Sequence, residues 1–229
     1  MSVHDLGSPD RVHPFTFEEA TMHGFPSSAV EGDRSERPDL PDTDELVVER
    51  YATAELPTRY GTFQIVSFVD NGEDRDHVAV VNGDVAGREG VLTRVHSECV
   101  TGDVFGSLRC DCGEQLDKAL ETLGEVDRGI LLYMRQEGRG IGLTEKVKAY
   151  ELQDEGLDTV EANRHLGFDD DLRDYSVAAG MLDVLGPQKV RGLLSEGIEV
   201  ERRIPLKVLP NPHNVEYLET KRRKSGHLL

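Results

Sequence analysis

All three cysteines of this 229-residue chain lie close together, at Cys99, Cys110 and Cys112. Three clustered thiols suit a catalytic zinc site, because a structural zinc is usually held by four protein ligands whereas a catalytic one keeps a position for water. An odd, clustered set of cysteines also argues against a disulfide scaffold and fits a reducing compartment. The first hypothesis is therefore an open, hydrolytic metal centre.

Two other interpretations of the cysteines stay open on the sequence alone. Free cysteines pack as small apolar side chains in intracellular proteins, and the C-x-x-C pairs that mark many zinc sites are absent here. His96 is a candidate fourth ligand, and a site closed by it would be structural. The charged neighbours Glu98, Arg109 and Asp111 favour the metal hypothesis, because polar and cationic surroundings stabilise thiolate.

The charge balance restricts which partners the chain can bind. There are 44 Asp and Glu against 26 Lys and Arg, a formal net charge of −18. This field repels nucleic acid and anionic membranes, so we expect neither as a partner. No apolar run approaches membrane-spanning length, and the N-terminus lacks a basic region followed by an apolar segment, so a cytoplasmic protein is expected. A small anion is still compatible, since the middle of the chain carries Arg94, Arg109, Arg135, Arg139, Lys146, Lys148, Arg173 and Lys189.

Composition divides the chain into two regions. Residues 1–44 are rich in Pro, Gly, Ser, Asp and Glu without periodicity, which predicts a mobile acidic arm. Residues 45–229 show strand-like and then helix-like patterns, which predict one domain of the α/β class with a mixed β-sheet and flanking helices. Its N-terminal part is expected to be rich in antiparallel strands, over Leu46–Val48, Phe63–Val69, His77–Val81 and Val91–Val95.

A strand, a glycine-rich turn and a helix follow one another in the second half of the chain. Gly129–Met134 is a continuous apolar run typical of a buried strand, 135–143 form the turn, and 144–155 are predicted to be helical. This succession is the framework of many phosphate sites, because glycine lets backbone N–H groups approach an anion. Two arginines, Arg135 and Arg139, strengthen that interpretation of the turn.

Apolar residues at helical spacing predict further helices. One covers 114–123 and places Cys110 and Cys112 just before its N-terminus, where the helix dipole favours thiolate. Another begins near 158 with Thr159 as a candidate cap, and a third ends near Leu185. The rest is expected to be helix at 190–196, strand at 198–208 and an exposed helix at 213–224.

Together, these separated motifs resemble those of the GTP cyclohydrolase II family, over residues 46–229. The most specific segments are Arg94-Val95-His96-Ser97-Glu98-Cys99, Ser107-Leu108-Arg109-Cys110-Asp111-Cys112-Gly113 and Arg135-Gln136-Glu137-Gly138-Arg139-Gly140-Ile141-Gly142-Leu143. Tyr150, Leu152-Gln153-Asp154, Asp158–Asn163 and Gly226–Leu229 extend the match. Agreement over so many separated motifs is not expected by chance, so the region is interpreted as a catalytic domain of this family.

The resemblance implies a reaction and its cofactors. Cys99, Cys110 and Cys112 would bind one zinc ion per chain, with water at the remaining position. The guanine imidazole ring of GTP would be opened at C8, releasing formate and diphosphate and leaving a diaminopyrimidinone ribosyl phosphate, the first step of riboflavin biosynthesis. Magnesium is the expected companion of the triphosphate, and the family implies a homodimer.

The resemblance also implies the roles of individual residues. Those expected to bind substrate are Arg94, Val95, His96, Ser97, Glu98, Gln115, Glu137, Gly138, Arg139, Thr159 and Lys189. Tyr150 is expected to assist the second hydrolysis, while Asp171 and Arg173 match a proton acceptor and a nucleophile in diphosphate release. Because a guanidinium stays protonated at neutral pH, Arg173 has an alternative role, in which it orients the α-phosphate while water attacks and Asp171 positions it.

The chain departs from the family pattern at one junction. Gly186 runs directly into Pro187, so that a strand and the turn after it are missing, which would be costly inside a sheet because backbone groups would lose their partners. This keeps a second hypothesis, a catalytically weakened paralogue that binds zinc and a purine nucleotide as a regulator or partner subunit. A purely structural zinc protein is a third, which leaves the arginine-rich turn unexplained. The complete hydrolytic residue set favours the enzyme.

Overall fold

The computed structural model describes residues 38, 40–72, 75–187, 190–191, 206 and 208–225. The chain divides into two compact units, Met1–Ser35 and Glu36–Leu229, and all described residues belong to the second. The arm expected at 1–44 therefore lies almost wholly outside the described residues, and its boundary stays a prediction.

Within the described residues, six strands form one mixed sheet in the order β1-β2-β3-β5-β4-β6. In chain order the elements are β1 (Val48–Thr58), β2 (Gly61–Asp70), β3 (His77–Asn82), β4 (Val91–Ser97), α1 (Val100–Asp103), α2 (Cys112–Glu125), β5 (Gly129–Met134), a short 3₁₀ helix (Glu137–Gly140), α3 (Leu143–Asp154), α4 (Thr159–His165), α5 (Ser176–Leu185), β6 (Val190–Arg191) and α6 (Val215–Ser225). The predicted α/β class with a mixed sheet and flanking helices is confirmed.

The antiparallel half of the sheet contains β1, β2, β3 and β5. Its pairings place Val66 opposite Ala79 and Ala79 opposite Leu132. These β-branched and apolar residues favour a pleated, buried surface. Among the described strands β1 pairs only with β2, and it is largely exposed as the outer strand of this half. The expected antiparallel N-terminal part is thus present, but Val91–Val95, which was expected within it, lies in β4, and β4 pairs parallel to both β5 and β6.

Two layers of helix cover the sheet. Alternate residues of β5 point to opposite faces, so that Ile130 and Leu132 pack with α5 while Leu131 packs with α2. The α5 side contains Phe68, Val91, Ile130, Leu132, Met181 and Leu182, and the α2 side contains Phe63, Val80, Ala119, Leu123 and Leu131. The continuous apolar run at 129–134 is explained by burial on both faces.

The parallel pair β4 and β5 positions the candidate site. Their register ends with Ser97 opposite Met134. Since the carboxyl ends of parallel strands meet at one edge, the segments after these two strands leave the sheet side by side. One segment carries Cys99 and the other carries the glycine-rich turn that begins at Arg135. The cysteine motif and the phosphate-like turn are therefore adjacent because of the strand register.

Three local predictions were wrong. Asp158, not Thr159, caps α4: its carboxylate accepts from the N–H groups of Val160 and Glu161, in a capping box. Val190–Arg191 form β6, paired with β4, where the helix expected at 190–196 would begin. Residues 192–196 and most of the strand expected at 198–208 lie outside the described residues. The helix expected at 213–224 is confirmed as α6, but the expectation that it is exposed was wrong, because it buries Leu218 and Thr220.

The junction at Gly186 lies beside the outer edge of the sheet. Gly186 ends α5 with a φ of 71°, a left-handed conformation that glycine adopts without strain. Pro187 follows, and the two-residue β6 then pairs with Val91 and Leu92. Within the described residues β6 is the last strand on that side, so the junction precedes the edge strand of the described part of the sheet.

None of the helices in the described part of the chain combines the length and apolar character needed to cross a lipid bilayer.

Candidate active site

A cavity of about 300 Å³ opens at the carboxyl edge of β4 and β5. Its walls come from β4, α2, the 3₁₀ helix, α3, α4 and, unexpectedly, α6. Among the predicted residues, those lining it are Arg94, Val95, His96, Ser97, Glu98, Cys99, Cys110, Cys112, Gln115, Glu137, Gly138, Arg139, Tyr150, Thr159 and Arg173. Asp171 does not line the cavity but accepts a hydrogen bond from Arg173, which does. Lys189 lies outside the described residues.

The three cysteines form a cluster able to hold a metal ion. Their sulfur atoms lie within 4.8 Å of one another, and the Sγ atoms of Cys99 and Cys110 are 3.6 Å apart. Gly102 of α1 packs against them, since a Cβ there would lie 3.0 Å from the Cys110 Sγ and 3.2 Å from the Cys99 Sγ. Among the described residues no other group of three His, Cys, Asp or Glu side chains has this proximity.

His96 is not part of the cysteine cluster. Its Nε2 lies 3.1 Å from both carboxylate oxygens of Asp103, and both side chains are buried. The same carboxylate accepts from the Cys99 backbone N–H and the Tyr133 hydroxyl. His96 therefore belongs to a network that fixes the backbone at Cys99, and the structure favours an open three-thiol site over one closed by His96.

The pKa shifts of the three cysteine thiols indicate that a metal cation would stabilise the cluster. Hydrogen bonds from Cys110 and Cys112 hold the pKa of the Cys99 thiol far below its usual value, and the ammonium of Lys146 adds to this. The pKa of Cys112 is raised, chiefly by its hydrogen bonds to Cys110 and Cys99. Three adjacent thiols compete for one negative charge, so a bound metal cation is what allows all three to be thiolates.

Lys146 connects the cysteine cluster to the glycine-rich turn. Its Nζ lies 3.0 Å from the Cys99 Sγ and 2.6 Å from the Glu137 Oε1. Burial lowers the pKa of Lys146, but the Glu137 carboxylate and the Cys99 sulfur raise it more, so the ammonium stays charged. Glu137 also accepts from the N–H groups of Val100 and Gly138. This carboxylate thus fixes the turn against the segment that contains Cys99.

The turn itself has an unusual backbone. Gly138 and Arg139 have φ values of 63° and 62°, and Arg139 is the one non-glycine residue with positive φ in the described part of the chain. Such strain is typical of functional sites. The Arg139 carbonyl accepts from the Leu172 N–H, and the Arg139 guanidinium donates to the Asp170 carbonyl. These bonds dock the turn against the segment that carries Arg173.

Arg173 reaches the cavity with its charge held in place by Asp171. The Arg173 Nε donates to the Asp171 Oδ1 at 2.8 Å, and the Nη2 donates to the other carboxylate oxygen. Burial opposes both charges, but the pair overcomes it: the pKa of Asp171 is lowered and that of Arg173 is raised. The Arg173 guanidinium is therefore a cation of fixed orientation in the cavity wall. The Asp171 carboxylate that holds it does not line the cavity.

Tyr150 of α3 faces the cysteine cluster. Its hydroxyl lies 3.1 Å from the Thr101 Oγ1, and the Arg109 guanidinium lies over its ring at 4.9 Å. Burial raises the pKa of Tyr150, so the phenol keeps its proton at neutral pH and can donate it.

Several cavity residues were not predicted as site residues. Arg109 and Lys146 were counted among the basic residues of the middle of the chain but given no position, while Tyr217 and Lys221 of α6 were missed. A signal was present: Tyr217, Leu218 and Lys221 share one side of α6 by their spacing of three and four residues. Asn163 and Tyr175 also line the cavity.

The α/β fold thus brings together, in one cavity, a three-thiol cluster able to hold a metal ion and several basic side chains able to bind an anion. The family profile for GTP cyclohydrolase II matches residues 49–205. The chain belongs to the GTP cyclohydrolase II family.

The similar proteins include short ones that this chain matches almost completely and longer ones that it matches over about half their length. The chain is 52% identical to "GTP cyclohydrolase-2" of Aeromonas hydrophila over 187 residues, 77% of this chain and 95% of that protein. It is 52% identical to "GTP cyclohydrolase-2" of Cronobacter sakazakii over 194 residues, 80% of this chain and 98% of that protein. It is 51% identical over 195 residues to "Riboflavin biosynthesis protein RibBA" of Endomicrobium trichonymphae, 81% of this chain but 48% of that protein. The chain therefore spans about half the length of the RibBA relatives.

Proposed function

We propose that the protein is a GTP cyclohydrolase of riboflavin biosynthesis, which opens the guanine imidazole ring at C8 and releases formate and diphosphate. The observation that carries this proposal is that one cavity contains both the three-thiol cluster and the arginine-bearing turn. Family membership and the relatives named "GTP cyclohydrolase-2" support the same activity.

Zinc is the metal that the site suits best. Cys99, Cys110 and Cys112 would hold it, since soft thiolates select zinc and three protein ligands leave a position open. Zinc held there supplies Lewis acidity that makes water nucleophilic at neutral pH. Magnesium, a hard cation, would accompany the triphosphate.

The other cavity residues would bind the triphosphate, donate a proton and stabilise the leaving group. The guanidinium groups of Arg94, Arg139 and Arg173 complement the charge of a triphosphate, and bidentate geometry favours arginine for this purpose. The Tyr150 phenol can donate a proton or anchor water beside the purine. Arg173, with its orientation fixed by Asp171, stabilises charge on the diphosphate leaving group or orients the α-phosphate for attack by water.

The test is incubation of zinc-loaded protein with GTP, with formate, diphosphate and the pyrimidine product measured together. Release of formate and diphosphate in equal amounts supports the enzyme. Tight GTP binding without either product would instead support the nucleotide-binding paralogue, to which the departure at Gly186 points. The expected homodimer is checked separately, by analytical ultracentrifugation of the same preparation.

Replacing Gly102 by alanine should weaken zinc binding. The new Cβ would approach the Cys99 and Cys110 sulfur atoms at 3.0 to 3.2 Å, so these atoms must shift. We expect zinc affinity to fall by about ten- to a hundredfold, the range seen when groups around metal ligands change. Competition with a chromogenic chelator measures it. Gly72→Ala, at a glycine outside the cavity, is the control, and equal affinities for both variants would contradict the prediction.

Replacing Tyr150 by phenylalanine should slow formate release and leave GTP binding nearly intact. The variant keeps the ring beneath Arg109 but loses the hydroxyl that bonds to Thr101. A rate decrease of about a hundredfold is expected, the lower end for a proton donor. Rate and GTP affinity are measured separately, with Tyr51→Phe on the exposed part of β1 as control. A loss of GTP affinity with an unchanged rate at saturating GTP in Tyr150→Phe would assign Tyr150 to binding.

A further inference from the structure

The C-terminal helix α6 reaches the cavity through Lys221. The Lys221 side chain is only 12% exposed, and its Nζ lies 3.3 Å from the Asp111 Oδ1. The ring of Tyr217, one helical turn earlier, lies 4.7 Å from the same ammonium. Both α6 residues line the cavity, so this helix is part of its wall.

Asp111 connects Lys221 to residues of α2 and β4 through hydrogen bonds. Its second carboxylate oxygen accepts from the Gln115 Nε2, and the Gln115 Oε1 accepts from the Arg94 Nη2 at 2.6 Å. Four side chains, Lys221, Asp111, Gln115 and Arg94, therefore form one chain of hydrogen bonds along the cavity wall. The Arg94 Nε is buried and has no hydrogen-bond partner in the part of the chain that the structure describes, so this guanidinium keeps an unused donor there.

The charges explain why the hydrogen-bond network of Lys221, Asp111, Gln115 and Arg94 depends on Lys221. The Asp111 side chain is 3% exposed and stands between Cys110 and Cys112, where thiolates would repel it. Lys221 supplies the opposite charge. Without it, the buried carboxylate would lose its ion pair, and the cation left in the same hydrogen-bond network would be Arg94, at its other end. The Arg94 guanidinium would then turn toward Asp111 and away from the cavity.

We propose that α6 completes the nucleotide site and that Lys221 is a positioning residue, which holds Asp111 and, through Gln115, directs Arg94 toward the substrate. The inference rests on the proposed function for the identity of the ligand, GTP. It extends that function by assigning a role to the C-terminal helix. Tyr217 supports the Lys221 ammonium through its ring.

The test compares three variants of the full-length, zinc-loaded protein. Lys221→Met removes the charge and keeps the aliphatic stem, Lys221→Arg keeps the charge, and Arg223→Met removes a charge from an exposed position of the same helix. For each we would measure zinc content, the Kd for GTP by calorimetry, and KM and kcat for formate release.

We expect Lys221→Met to raise the Kd and KM for GTP about tenfold, the effect of losing one charged hydrogen bond, with kcat changed much less. Zinc content should be unchanged. Lys221→Arg should restore most of the affinity and Arg223→Met should match the unmodified protein. An unchanged Kd in Lys221→Met would overturn the proposal, as would equal losses in Lys221→Met and Arg223→Met.

A double-mutant cycle tests the route through Gln115. If Lys221 acts through this amide, adding Lys221→Met to Gln115→Ala should cost little further affinity, because the connection is already broken. A full additional tenfold loss would overturn the route. Should Lys221→Met fold poorly, Lys221→Gln replaces it in the same cycle. Formate release by the unmodified protein tests the proposed function independently, since the α6 inference is decided by GTP binding alone.

Discussion

Replacing Cys110 by serine should remove the bound metal and abolish formate release. The Cys110 sulfur lies 3.6 Å from the Cys99 sulfur in a cluster that offers three thiol ligands. A serine hydroxyl is far less acidic than a thiol and does not supply the soft anion that zinc prefers. With two thiolates left, we expect zinc affinity and turnover to fall by more than about a hundredfold, beyond the range for changes around intact ligands.

The measurement pairs elemental analysis of the purified variant with formate release from GTP. Val104→Ser is the matched control, since it introduces the same side chain into the same segment at a position that is 69% exposed. Circular dichroism of both variants separates loss of metal from loss of fold. Stoichiometric zinc and normal turnover in Cys110→Ser would remove the cysteine cluster from the mechanism.

The arrangement of the site could be predicted from the sequence where short-range patterns decide it. The apolar run at 129–134 and the strand pattern at 91–95 mark two buried strands, and parallel pairing then brings the segments after them together. The cysteine motif and the glycine-rich turn follow these strands directly. Their juxtaposition therefore depends on local patterns plus one parallel pairing, which was not predicted, since Val91–Val95 was expected among antiparallel strands.

Contacts between distant parts of the chain could not be predicted in the same way. Lys221 and Asp111 are separated by 110 positions, and no local pattern of α6 reveals which side chain meets which. The role of His96 was equally hidden, because imidazole serves as well for a metal as for a carboxylate, and only the fold places Asp103 beside it. The α4 cap was misassigned because Asp158 and Thr159 both suit that position, and backbone geometry selects Asp158.

Replacing Arg173 by alanine should impair diphosphate release more than GTP binding. Arg173 lines the cavity with its guanidinium orientation fixed by Asp171, so its charge is preorganised for the leaving group. Removing a preorganised donor of this kind typically slows a reaction by about a hundred- to a thousandfold. Affinity should fall much less, because Arg94 and Arg139 still line the cavity and face the same triphosphate.

Arg164 provides the control for this prediction. It pairs with Asp170 through the same two-bond geometry, with both N–O distances 2.7 Å, but its side chain is 65% exposed and does not line the cavity. Arg164→Ala should therefore leave diphosphate release and GTP affinity unchanged. Arg173→Lys tests geometry against charge, since lysine keeps the charge without the planar fork. A loss of GTP affinity with an unchanged kcat in Arg173→Ala would instead make Arg173 a general phosphate clamp, because a group that binds substrate and transition state alike contributes to affinity and not to kcat.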